Sequence, residues 1–191
     1  MAAQARMKQI YFDGAGGPEV IRVGEAPVPE PGEGKVLIEV VAAGVNRPDI
    51  FQRAGHYPPP PGESAIPGLE VSGRIAAVGA GVDGLKEGDA VCALVGSGGY
   101  AEYVVADAPL CLAAPKSMSL VDAAGIPENY MTVFDNVFLR GKLKAGERLL
   151  VHGGSSGIGI CQLACGSTPA QQVTHAINPC LRQVAFTMMS A

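Results

Sequence analysis

The sequence predicts a mixed α+β fold, in which a β-rich, barrel-like region comes first and helices with a strand and a glycine-rich loop come after it. Three observations carry this. Short apolar runs of strand length recur through the first 115 residues, punctuated by Gly and Pro clusters. The apolar period then changes to a helical one. Finally, Leu149-Leu-Val151 runs straight into Gly153-Gly-Ser-Ser-Gly-Ile-Gly159, the pattern of a buried strand entering a tight, donor-rich turn. Such a turn lets a phosphate approach backbone N–H groups, and a helix beginning after it adds its positive end.

In chain order, residues 7–12 and 19–24 read as two strands across the turn 13–18, and residues 26–34 as a bend, since three prolines exclude a central strand. Residues 35–45 form the first strong strand, with Val36, Leu37, Ile38, Val40 and Val41 interrupted by Glu39. One helical turn is expected at 50–54. The proline run 58–61 reads as an extended surface loop beside a cleft. Further strands are expected at 71–78, 90–95 and 100–106, with a short piece beginning at Leu110 and ending at Pro115. No helix of ordinary length falls in this part, and a barrel-like β domain is the expectation.

Ser119 and Asp122 fit a capping box that opens a helix running to about Ile126, with a break at Pro127. A second helix is expected over 129–140, where Tyr130, Val133, Phe134, Val137 and Phe138 lie at helical spacing and Gly141 closes the end. A dinucleotide unit then needs a strand, a loop, a full helix and a second strand carrying an acid or basic groups. Fewer than three helical turns separate Gly159 from the breakers Gly166 and Pro169, and no Asp or Glu follows Glu147. Residues 161–191 therefore read as an aberrant tail, either a divergent natural ending or coding sequence that lost its frame or was misspliced. The expected division is 1–120 for the β-rich domain, 121–160 for linking helices and the start of the nucleotide-binding domain, and 161–191 for the tail.

Composition narrows the function classes. With 48% hydrophobic residues and a net charge of −4, the chain can build a core and lacks a basic nucleic-acid footprint. It has no long apolar span for a membrane helix and no secretory signal. Five cysteines, at spacings that fit neither a disulfide framework nor a zinc pattern, point to a soluble cytoplasmic protein with reduced thiols.

Gly17-Pro-Glu-Val20, Ala43-Gly-Val-Asn-Arg-Pro-Asp49, Gly55-His-Tyr57, Pro67-Gly-Leu-Glu-Val-Ser-Gly73, Gly88-Asp89 and the loop 153–159 occur in one order along the chain. In these the chain resembles a zinc-free, NADPH-dependent quinone oxidoreductase of the medium-chain dehydrogenase/reductase superfamily, over about residues 7–160. The resemblance implies a GroES-like β-rich partial barrel followed by the first strand and loop of an incomplete Rossmann domain. It implies hydride transfer from NADPH to a quinone or activated alkene, and a homodimer whose usual strand is absent here. A catalytically inactive GroES-like fragment or interaction module is the alternative.

The resemblance further implies that Asn46 and Tyr57 are catalytic. It implies that Asn46, Thr132, Ser155, Ser156, Gly157, Ile158 and Gly159 bind the cofactor. Each has a bland counterpart. Asn46 could cap the turn into Pro48, Tyr57 could be a packed loop ring, and Thr132 could bond its own helix carbonyl. Asp49 reads as a cap or a partner of Arg47. Glu70 reads as structural, paired with Arg74 or Arg53. In the superfamily's zinc enzymes a cysteine ligand stands where Asn46 stands and a histidine where Leu69 stands. Neither ligand is present in this sequence, and Cys92 and Cys111 fall in strands.

Overall fold

The structure, a computed structural model, describes residues 5–144, 147, 149–166, 172–178 and 183–189. Two compact units divide the chain, Met1–Glu128 and Asn129–Ala191.

In the first unit β1 (Arg6–Phe12) and β2 (Ile21–Pro27) form an antiparallel two-stranded ribbon. Then come β3 (Lys35–Ala43), α1 (Arg47–Arg53), β4 (Glu70–Val78), β5 (Ala90–Leu94), β6 (Tyr103–Asp107) and β7 (Cys111–Ala113). These five strands make one antiparallel sheet in the order β6-β3-β4-β5-β7. Strand alternation puts Val36, Ile38, Val71, Ile75, Val91, Ala93, Val104 and Ala106 into one buried cluster. The opposite face of β4 carries Glu70 and Ser72. Both are buried there, and α2 (Leu120–Ala123) packs against β3, β4 and β5. The Ser72 hydroxyl donates to the Leu120 carbonyl. Ser119 caps α2 as its sequence predicts, accepting the Asp122 N–H at 3.1 Å.

The expected partial barrel is not formed. Among the described residues no sheet closes on itself; β6 and β7 are the two edges of an open sheet, and the β1–β2 ribbon is a separate sheet. The ribbon is tied to the rest through a bridge between Gln9 and Ala101 and through the Ile10 N–H to the Tyr100 carbonyl, at 2.8 Å. Closure needs edge strands long enough to pair throughout their length. β7 has three residues, between a 3-10 turn at Ala108–Leu110 and Pro115, and offers too short a ladder.

Pro127 does not break a helix but starts one, α3 (Pro127–Val133). The first helical turn tolerates proline because its missing N–H would have no partner there. α3 continues as a π-helical segment, Phe134–Arg140. Gly141, the expected left-handed closing residue, has φ −71°, and the left-handed turn falls on Lys142 at φ 52°.

In the second unit β8 (Leu150–Val151) leads through the glycine-rich turn into α4 (Gly157–Gly166). β9 (Gln172–Asn178) and β10 (Gln183–Met189) follow. β10 lies between β8 and β9 and is antiparallel to both. Among the described residues the strand, loop and helix are therefore not continued by the parallel strand of a Rossmann unit. Val133, Val137 and Cys161 form this unit's buried cluster, with Phe138, Leu143, Leu149 and Ile158 packed on it.

Candidate functional site

Asn46 leaves β3 in an extended conformation, φ −121° and ψ 161°, and is the N-cap of α1. The Asp49 carboxylate reaches back to accept the Asn46 N–H at 2.7 Å, completing a capping box. The same Asp49 Oδ2 accepts the Tyr100 hydroxyl at 2.7 Å. Its other oxygen is buried and has no hydrogen-bond partner among the described residues. The Asn46 amide in turn donates through Nδ2 to Glu70 Oε1 at 2.8 Å, and Glu70 Oε2 accepts the Glu128 N–H at 2.9 Å.

This is a buried polar knot built from the start of α1, the start of β4, the loop after β5 and the start of α3. Burial pushes the Glu70 carboxyl above its usual range. The donors Asn46 and Glu128 pull it down, and the Asp49 charge pushes it up again. Burial, then the Asp49 hydrogen bond and charge, holds the Tyr100 phenol protonated well above its ordinary range.

The expected ion pairs of Glu70 are not made. Arg74 donates to the Gly88 carbonyl at 3.1 Å and Arg53 to the Gly16 carbonyl at 3.2 Å. Glu70 is satisfied by an amide and a backbone N–H instead. Its role was legible only in the principle that a carboxylate inside an apolar strand must find donors; which donors is a tertiary matter. Tyr100 gave no sequence signal beyond its place at the head of a predicted strand.

Tyr57 is 43% exposed and follows α1. It and Asn46 stand beyond opposite ends of that helix, whose seven residues span about 10 Å. Arg47 lies over the Phe51 ring, 5.6 Å from its centroid.

The other candidates fall in the second unit. Gly153 takes φ 72° at the turn, and the Ser156 N–H bonds the Gly153 carbonyl at 2.9 Å. Ser156 then caps α4, its hydroxyl accepting the Gly159 N–H at 3.0 Å. The Gly157 and Ile158 N–H groups head the helix, where an α-helix has no internal partner to offer them. A Cβ on Gly159 would sit 2.4 Å from the Gly154 Cα, and one on Gly157 would sit 2.7 Å from Asn129 Oδ1. Thr132 is one helical turn on from Asn129, hence on the face of α3 that meets the turn. Its carbonyl accepts the Asn136 amide at 2.8 Å. Ser155 and Ser156 are exposed and Gly159 is buried, so Gly159 contributes close packing while the serines face outward.

Among the described residues no group of three or more His, Cys, Asp or Glu is placed to hold a metal ion. Nor is any helix among them long and apolar enough to cross a membrane.

Residues 32–116 match the family described as "Alcohol dehydrogenase GroES-like domain". The chain is 40% identical over 165 residues to "Quinone oxidoreductase" of Lama guanicoe, covering 84% of this chain and 50% of that protein. It is 34% identical to "Synaptic vesicle membrane protein VAT-1 homolog-like" of Mus musculus, over 85% of this chain and 39% of that one. The crystal structure of the human VAT-1 homolog-like protein superposes with a TM-score of 0.78 at 32% identity, covering 85% of this chain and 53% of that one. The chain matches the GroES-like N-terminal half of the quinone oxidoreductase and VAT-1-like family. It spans about half the length of the relatives it matches. Asn46, Tyr57, Glu70 and Tyr100 lie within the GroES-like stretch; Thr132 and the glycine-rich turn lie beyond it.

Proposed function

We propose that this chain supplies the substrate-side domain and the cofactor-phosphate turn of a zinc-free, NADPH-dependent oxidoreductase that reduces a quinone or activated alkene. The name of the Lama guanicoe relative supports the class. The turn between β8 and α4 carries the cofactor reading, because the Gly157 and Ile158 N–H groups head α4 there, with the Asn129 amide beside Gly157 and the Ser156 hydroxyl on the Gly159 N–H. It fits a pyrophosphate. The parallel strand that would meet the adenine ribose is not among the described strands.

In this reading Ser155, Ser156, Gly157 and Ile158 hold the pyrophosphate, and Gly159 keeps the turn tight. Thr132 meets the nicotinamide ribose. Bound NADPH supplies the hydride. Asn46 and Tyr57 orient the acceptor and hydrogen-bond its oxygen, and water provides the proton. A quinone accepts electrons readily, so no strong acid is required, and the Asp49 and Glu70 carboxyl groups beside Asn46 are taken up in hydrogen bonds within the protein. The positions of Asn46 and Leu69 supply no zinc ligand.

NADPH fluorescence titration and quinone-dependent NADPH oxidation by the purified chain test this reading. Binding with turnover above buffer supports it. An unchanged NADPH emission together with no turnover would overturn it in favour of an inactive GroES-like interaction module.

A further inference from the structure

Glu70 is 1% exposed, yet no cation among the described residues meets it. Both its oxygens are committed to donors, one on the candidate catalytic side chain and one on the backbone of α3. The chain makes room for this. A Cβ on Gly44 would sit 2.1 Å from Glu70 Oε1, so the residue beside the carboxylate has to be glycine or the carboxylate has to move. We propose that Glu70 is the positioning residue for Asn46: it fixes which way the amide is turned and so decides what Asn46 can offer a ligand.

The proposal rests on the reading of Asn46 as a ligand-facing group. A side-chain amide has two N–H donors and one oxygen, and either end can be turned to a ligand unless partners fix it. Here Glu70 accepts from Nδ2 at 2.8 Å, which turns the amide oxygen to the other side, while the Asp49 N–H goes to the Asn46 backbone carbonyl at 3.2 Å. One N–H of Nδ2 remains. Asn46 therefore keeps one Nδ2 hydrogen to donate, and the ligand atom that hydrogen suits is an acceptor such as a quinone or enone carbonyl oxygen. With its second oxygen Glu70 holds the first turn of α3, so the amide orientation and the start of that helix depend on one carboxylate.

Glu70→Gln tests this, because a carboxamide accepts at only one end. Either Asn46 Nδ2 or the Glu128 N–H then faces an NH2 group. In the apo protein the Asn46 side-chain N–H resonances are expected to shift. Turnover per folded molecule is expected to fall on the order of 10- to 100-fold. A packing role alone would leave turnover per folded molecule at the wild-type value, and unmoved Asn46 resonances would overturn the positioning role. A wild-type chain without turnover would overturn the reductase reading, while the resonances would still decide the role of Glu70. If Glu70→Gln does not fold, pairing it with Asn46→Asp restores a donor opposite an acceptor at both ends. A double variant no more stable than the single one would overturn the pairing.

Discussion

Glu70 and Glu128 share one small volume with Asp49, Tyr100 and Cys92, and burial is the largest cause lifting both glutamates above their usual 4.5. The folded state therefore holds these protons more tightly than the unfolded chain. Their contribution to stability is fully present below about pH 4.5 and is lost as pH rises through the raised folded values, after which it is flat. Thermal midpoints measured across that window are expected to fall with rising pH, and Glu128→Gln is expected to reduce the slope; an unchanged slope would rule out Glu128 as a contributor. Gly44→Ala, which drives a methyl into the Glu70 carboxylate, is expected to lower stability by about 1–3 kcal/mol in denaturant unfolding. At this scale the sequence showed where Asn46 sits, because the Gly44-Val-Asn46 turn and Pro48 are local signals. It paired Glu70 with arginines because acids seek cations. The fold answered that need with an amide and a backbone N–H that the chain brings from 24 and 58 residues away.

Elements were more legible than their joints. Alternation and Gly/Pro punctuation located β3, β4 and β5 to within two residues, since both signals are local. Helix ends were misplaced where a residue fits two roles. Pro127 is as compatible with a first turn as with a break, and the widened turn at Phe134–Arg140 keeps the same apolar stripe as an ordinary helix. Its signature is the pairing of residues five apart, Asp135 with Arg140 at 2.6 Å and the Gly141 N–H with the Asn136 carbonyl. For α4, Ser156→Ala removes the cap and is expected to cost about 0.5–2 kcal/mol, read by denaturant unfolding of the second unit. Gly159→Ala forces the helix away from Gly154. If the turn holds a pyrophosphate, that change should weaken NADPH binding by about tenfold or more, equivalent to about 1.4 kcal/mol; an unaltered fluorescence titration would separate the turn from the cofactor.

For the molecule as a whole, the sequence predicted the strands but not how they close. Periodicity says that strands exist, whereas closure depends on tilt, shear and edge length, and none of these is written in a local pattern. The open arrangement leaves Val23 71% and Val41 51% exposed, lining one groove of about 370 Å³ with Ile10 and Val40. Such a surface is expected to bind a hydrophobic dye, and Val23→Lys with Val41→Thr should reduce that signal. Dye binding indifferent to both changes would place the exposed apolar surface elsewhere. The ribbon of β1 and β2 also carries a timing consequence. The Lys8 N–H reaches Glu102 across 94 residues of chain, so the ribbon leaves a ribosome well before its anchor does. At the usual pace of synthesis the wait is on the order of 5–20 s, far longer than a hairpin needs to form. Throughout it, a nascent chain arrested before codon 102 should yield its amino-terminal ribbon to a protease that spares the finished protein.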